Sequence, residues 1–237
     1  MFLINIKVSC PRCSGSKVVK NGVKSTGKQN FLCKACGRQF QHEYEKAGCD
    51  PKVRHQIKES LLHGGGIRDN AAVFKVSTKT VLNIIKTEGE NLKISPSQKH
   101  YSSVQIDELY SFVGNKGKKV WIFYVYAHET KEILAFTMGK RSIKQLRYLM
   151  IKIKHLNIKI DTYRTDDFKG FSNILKHYNH LIGKEYTKHI EGRNTFIRAR
   201  LARFQRRSTK FSKKLIYQWW LFTMLVDWLN NRALSYI

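Results

Sequence analysis

The sequence predicts three unlike parts in series: a small metal-held ribbon, an all-α helical unit, and a mixed α/β domain. Three observations carry this. Four of the five cysteines fall into two CxxC pairs near the N-terminus. Hydrophobic spacing turns helical from Lys52, and beyond residue 103 apolar runs of strand length alternate with helical segments. The boundaries fall at 1–48, 49–90, a linker over 91–102, and 103–237.

In the first part, Cys10-Pro-Arg-Cys13 and Cys33-Lys-Ala-Cys36 are separated by nineteen residues, room for a short hairpin. Each pair can grip one Zn²⁺ from a tight turn, and four thiolates complete a closed structural site. Gly15, Gly22, Gly27 and Gly37 supply turns, while Val18-Val19 and Asn30-Phe31-Leu32 read as strands. So short a segment has too little core to fold alone, so the metal provides much of its stability. Cys49 stands apart as a free thiol.

In the second part, Val53, Ile57, Leu61 and Leu62 mark a helix stopped by Gly64-Gly65-Gly66. Ile67 to Phe74 makes a second, and Ser77 caps a third running from Thr78 to about Glu88. The apolar set Ala71, Phe74, Val76, Val81 and Ile84 fits a helix-turn-helix, whose third helix enters the major groove of DNA. Thr78, Lys79, Thr80 and Asn83 are then the groove-facing side chains. The turn position that often holds glycine is Lys75, which carries a backbone penalty if its φ is positive. Asn91 to His100, polar and containing Pro96, reads as a linker.

In the third part, Val104–Leu109 alternates like a strand, and Val120–Ala127 is a continuous apolar run suited to a strand buried on both faces. Glu132–Met138 is a third strand, Ser142–His155 a helix, and Lys159–Thr165 a fourth strand. A helix over about Phe168–His177 and a short strand near Tyr186 follow. A basic helix then begins around Lys188 and runs to Lys213-Lys214, and Leu215–Asn230 closes the core. This order is compatible with a ribonuclease-H-like α/β sheet.

Lysine and arginine number 44 against 17 acids, a formal charge of +27. So lopsided a balance favours a polyanionic partner, and its spread along the chain favours nucleic acid over a membrane surface. The best apolar run, Leu215–Leu229, is interrupted by Gln218 and Asp227, and the N-terminus lacks the pattern of a signal peptide, so an intracellular protein is expected.

Against this basic background, three acids stand out. Asp107 lies on the first strand of the sheet, Asp166 at the C-terminal end of the fourth, and Glu191 at the head of the basic helix. Strand ends open onto the crevice where α/β sheets bind ligands. Carboxylates are the donors Mg²⁺ or Mn²⁺ prefers, and two such ions clamp both oxygens of an in-line displacement at phosphorus. Glu108 neighbours Asp107, but period-two alternation sends it to the opposite face. Asp167 is placed to cap the following helix. On a wheel of about 100° per residue, Asn194, Arg198 and Gln205 share the side of Glu191, while Arg193, Arg200 and Arg207 form a cationic flank.

The chain resembles the insertion-sequence-one family of transposases at Val104-Gln-Ile-Asp-Glu-Leu109 with Phe112-Val113-Gly114, at Thr165-Asp166, and at Tyr186-Thr-Lys-His-Ile-Glu191. The likeness continues through Asn194, Arg198, Leu201-Ala202-Arg203 and Arg206-Arg207-Ser208 to Phe211-Ser212-Lys213. The family commonly has glycine where this chain has Asp167, and arginine where it has Gly192. The resemblance implies an aspartate–aspartate–glutamate triad of Asp107, Asp166 and Glu191 binding two Mg²⁺ or Mn²⁺ ions. It also implies a ribbon and helix-turn-helix that bind terminal inverted repeats, with Arg193, Arg200, Arg203, Arg206 and Arg207 on DNA and with Asn194 and Arg198 orienting Glu191 or contacting DNA. Cleavage of 3′ ends, strand transfer into target DNA, a dimer or larger synaptic complex, and a cytoplasmic, nucleoid-associated place in a prokaryotic cell follow from the same likeness. The other reading is a zinc-dependent DNA-binding regulator with an inactive sheet domain.

Overall fold

Residues 7–41, 46–205 and 209–234 are described by the computed structural model. The two CxxC segments fold alike. Ser14 N donates to Cys10 O at 2.8 Å and Gly37 N to Cys33 O at 2.9 Å, so each knuckle closes one residue beyond its second cysteine. Both closing residues are left-handed, at φ 54 for Ser14 and 70 for Gly37. Strands β1 (Val18–Val23), β2 (Gln29–Cys33) and β3 (Gln39–Gln41) form an antiparallel sheet in chain order. Its core is little more than Cys10, Cys33 and Phe40, with Phe31 stacked on Phe40.

Three helices come next, as the sequence predicts. Helix α1 (Pro51–Leu62) starts where the Asp50 carboxylate accepts from Lys52 N and proline takes the first turn. Helix α2 (Ile67–Val73) is tied by Gly66 N donating to Asp69, and α3 (Thr78–Gly89) by Thr80 N donating to the Ser77 hydroxyl. The turn between α2 and α3 does place Lys75 at positive φ, +50.

These helices are packed into the rest of the chain. Ile57, Leu61, Leu62, Val81, Ile84 and Ile85 belong to one apolar core with the C-terminal helix α7 (Leu215–Leu234). The expected linker is correspondingly fastened. Leu92 and Ile94 pack on that core, and Ser97 donates both its amide and its hydroxyl to the buried Glu132 carboxylate, at 3.0 and 2.7 Å.

Beyond it, β4 (His100–Phe112), β5 (Lys119–Ala127) and β6 (Glu132–Gly139) form an antiparallel meander. Helix α4 (Ile143–His155) crosses back so that β7 (Lys159–Thr165) lies parallel to β4. Then α5 (Lys169–Leu175) leads to β8 (His180–Ile182), parallel to β7. The sheet order is β6-β5-β4-β7-β8, a mixed sheet consistent with a ribonuclease-H-like domain. On one face Val104, Ile106, Phe123 and Val125 meet Leu146, Leu149 and Phe171 of α4 and α5. On the other, Leu109, Ile122, Tyr124 and Tyr126 meet α7 and helix α6 (Lys188–Arg200). This double burial explains the unbroken apolar run of β5.

Two expectations are corrected. The short strand lies at His180–Ile182, not near Tyr186, which sits in a 3₁₀ turn. The basic helix does not reach Lys214: α6 ends at Arg200, and Leu201 is extended at φ −106, ψ 108. Leu201 and Phe204 are pulled into the core there, and Ser212 pairs with Val113 at the end of β4. These contacts outweigh the helical propensity of the run.

Candidate active site

Strand β7 stops at Thr165, whose partner on β4 is Ile106. Among the described residues, no strand pairs with the β7-facing edge of β4 from Asp107 to Phe112, before the Val113–Ser212 bridge, and Asp166 lies at the start of that gap. Carboxylate oxygens of Asp107, Glu108 and Asp166 lie within 4.8 Å of one another. Asp107 leans towards α6 and Glu108 towards the β6–α4 connection, so the expected alternation holds at the backbone. The carboxylates nevertheless converge around the free edge. The reading that alternation removes Glu108 is thus corrected. Asp166 also accepts from Phe168 N at 3.1 Å; α5 starts after Phe168 without a side-chain cap, so the exposed Asp167 does not cap it as expected.

The cluster is electrostatically tense. Burial, then the Glu108 and Asp166 carboxylates, push Asp107 up to about 6, against amide donation from Glu108 N and the Asn194 side chain. Burial and Asp166 likewise raise Glu108, opposed by the Arg141 guanidinium. Three gathered carboxylates match the hard, divalent-cation donor set of Mg²⁺ or Mn²⁺.

Helix α6 is seated over this cluster by polar contacts that the sequence did not disclose. Ile190 N donates to the Gln105 side chain at 2.8 Å. The buried Tyr124 hydroxyl donates to Asn194 Oδ1 at 2.8 Å, so the amide nitrogen of Asn194 faces Asp107 and donates to its Oδ2 at 2.7 Å. Tyr124 thereby fixes which way Asn194 points. Glu191, one turn earlier on α6, is exposed, and its carboxylate is not within the 4.8 Å cluster. The structure brings together two of the three expected acids, with Glu108 beside them.

The basic residues expected on DNA are placed differently. Arg193 donates to the Tyr126 hydroxyl at 3.0 Å, Arg198 to Phe204 O at 2.9 Å, and Arg200 lies over the Phe196 and Trp228 rings. Arg203 is buried, donating to Ser212 Oγ at 2.7 Å, and burial lowers it to about 10. Arg203 therefore locks the chain after α6, because the helix that would have exposed it ends before it. Arg206 and Arg207 lie outside the described residues. On α3, Thr78, Lys79 and Asn83 are exposed, whereas Thr80 is half-buried against Gly48.

At the other end of the chain, sulfurs of Cys10, Cys13, Cys33 and Cys36 converge within 4.8 Å. The Cys10–Cys36 and Cys13–Cys33 separations are 3.6 and 3.7 Å. A tetrahedron of Zn–S bonds near 2.3 Å has edges of about 3.8 Å, so the four residues fit zinc. Arg12 N also donates to Cys10 Sγ at 3.4 Å, as suits a thiolate ligand.

Comparisons with known proteins agree with this division. Residues 102–223 match the family described as IS1 transposase, and residues 4–37 match the InsA N-terminal domain, a zinc ribbon. The insertion element IS1 9 protein InsB of Escherichia coli K12 is 31% identical over 136 residues, covering 57% of this chain and 80% of the relative. The InsB protein of Haemophilus ducreyi matches to the same extent, 31% over 136 residues. Among solved structures, a simian T-cell lymphotropic virus intasome with a PP2A regulatory subunit shares 15% identity at a TM-score of 0.36, too weak to bear on the fold. Among the described residues, no helix is long and apolar enough to cross a membrane.

Proposed function

The chain belongs to the IS1 transposase family, and we propose that it cuts and joins the DNA ends of its element at the Asp107–Asp166 cluster. The convergence of these two carboxylates at the open edge of β4 carries the reading. Asp107 and Asp166 would hold divalent cations there, with Glu191 as the third acid of the triad, supplied from the first turn of α6. Bound at such a site, Mg²⁺ or Mn²⁺ activates the attacking oxygen and stabilises the leaving one. The protein's own part is positional. Asn194, oriented by Tyr124, keeps Asp107 aimed at the opening, and Gln105 holds the head of α6 in place. Water attacks the phosphodiester at each element end, releasing a 3′-OH that then attacks target DNA.

The α2–α3 pair acts as a helix-turn-helix. Thr78, Lys79 and Asn83 on the exposed side of α3 are its groove-reading side chains, with Thr80 supporting from its half-buried position. With the zinc ribbon, this unit binds the terminal inverted repeats. The half-buried Arg193, Arg198 and Arg200, together with the exposed Lys213 and Lys214, supply cationic surface along the DNA backbone. Joining two ends in one event calls for a dimer or larger synaptic complex.

The test is end cleavage and joining by the zinc-loaded chain on labelled DNA carrying the flanking repeats. Asp107→Asn, Asp166→Asn and Glu191→Gln are expected to abolish both steps while repeat binding persists. Repeat binding by the wild type, without cleavage in Mg²⁺ or Mn²⁺, would make the protein a regulator instead.

A further inference from the structure

Glu108 is the buried acid that the triad leaves without a task. Only 7% of its side chain is exposed. Arg141 approaches it with two nitrogens, Nε at 2.7 Å and Nη2, yet both donate to the same oxygen, Oε1. The other oxygen, Oε2, is buried and has no hydrogen-bond partner among the described residues. A forked pairing would have satisfied both oxygens. A carboxylate oxygen withheld from solvent and from its own counter-ion is costly unless something else occupies it.

Glu108 has a carboxylate oxygen within 4.8 Å of those of Asp107 and Asp166. Its counter-ion is held back by aromatic packing, with the Arg141 guanidinium 3.8 Å from the Phe168 ring centre and 5.1 Å from that of Trp121. Phe168 is in turn tied to the site, since its amide donates to Asp166. Arg141 thus engages one oxygen, and the second is left without a donor among the described residues, in a side chain that has a carboxylate oxygen in the cluster.

We propose that Glu108 is an additional oxygen donor to the divalent cation held by Asp107 and Asp166, with Arg141 as the positioning residue that holds it ready. The proposal rests on the cation-site reading above and adds a donor that the triad does not include. A structural role alone, an ion pair tying β4 to the start of α4, would make Glu108 and Arg141 equivalent. A donor and its competing counter-ion are not equivalent. Removing Glu108 takes away a ligand, whereas removing Arg141 takes away a positive charge that repels the cation and occupies the donor.

The experiment is a Mn²⁺ titration of the full zinc-loaded chain without DNA, following free Mn²⁺ by electron paramagnetic resonance. Variants Glu108→Gln, Arg141→Met, Asp107→Asn and Glu191→Gln run beside the wild type, each checked for an unchanged circular dichroism spectrum. Glu108→Gln is expected to weaken binding at least about tenfold, the lower end of what losing even an outer-shell partner costs. Arg141→Met is expected to tighten it, and Asp107→Asn to abolish it. Wild-type affinity in Glu108→Gln, with loss in Asp107→Asn, overturns the donor role and leaves the cation site standing. Equal weakening by Glu108→Gln and Arg141→Met overturns it as well, in favour of the structural ion pair. No site in the wild type, or no loss in Asp107→Asn, overturns both readings together.

Discussion

Gly89 ends α3 where that helix crosses α7, and a methyl group there tests whether the helical unit is docked or merely tethered. A Cβ built on Gly89 falls 2.6 Å from Trp220 Cβ and 2.7 Å from Trp220 O. Carbon atoms in contact prefer about 3.5–4.0 Å, so the Gly89→Ala helix must back away from α7 by about 1 Å. Overpacking of this kind costs about 1–3 kcal/mol. Alanine returns up to about 1 kcal/mol of helix propensity, less at the last residue of a helix. The overpacking wins, and a net loss of about 1–2 kcal/mol is expected, lowering Tm by roughly 2–8 °C for a chain of this size. Calorimetry of the zinc-loaded protein measures it, with proteolysis over residues 91–99 reporting whether Ser97 has left Glu132. An unchanged or raised Tm for Gly89→Ala would refute the docked arrangement and restore a free linker.

The same substitution at Gly192 should act in the opposite direction. Among the described residues nothing lies within 4 Å of a Cβ there, so Gly192→Ala is expected to stabilise α6 by up to about 1 kcal/mol, and a lower Tm would contradict the open geometry. Asp107→Asn is expected to stabilise the Mg²⁺-free, zinc-loaded protein near neutral pH. Folding raises this carboxyl from 3.8 to about 6, so the folded state binds the proton more tightly. Stability is therefore lost as pH rises from about 4 to 6 and stays lost above, a penalty of about 3 kcal/mol. Asparagine turns an amide nitrogen towards that of Asn194 and gives back part of this, leaving a gain of about 1–2 kcal/mol that closes by about pH 4. Thermal unfolding at the two pH values checks it, and a variant less stable than wild type at neutral pH would show that the site is not strained.

The strands and most helices were legible because their hydrophobic periods are clean, from the double-sided run of β5 to the capped start of α3 at Ser77. The end of α6 was not, since no glycine or proline marks it. The break comes from Leu201 and Phe204 reaching the core and from Ser212 pairing with Val113, all tertiary effects. Asp107 was legible as an acid on the first strand of the sheet and Asp166 as one at the end of the fourth. Glu108 was not, because alternation describes where a side chain leaves the backbone, whereas its carboxylate depends on β7 stopping opposite Ile106. Asn194 was expected beside Glu191 on the helix, but its partner is Asp107, a choice made by Tyr124 from another strand. The linker looked solvated because Ser97 and Glu132 are polar, and only folding brings them together.

At the centre of the proposed chemistry, Asp107 and Asp166 would hold a cation that stabilises the oxygen leaving phosphorus. Replacing the bridging 3′ oxygen at the element end with sulfur tests this directly, since Mn²⁺ accepts sulfur more readily than Mg²⁺ does. Cleavage of the sulfur-substituted end is expected to fail in Mg²⁺ and return in Mn²⁺. Equal cleavage of both ends in Mg²⁺, or no return in Mn²⁺ while the ordinary end is cut, would contradict it.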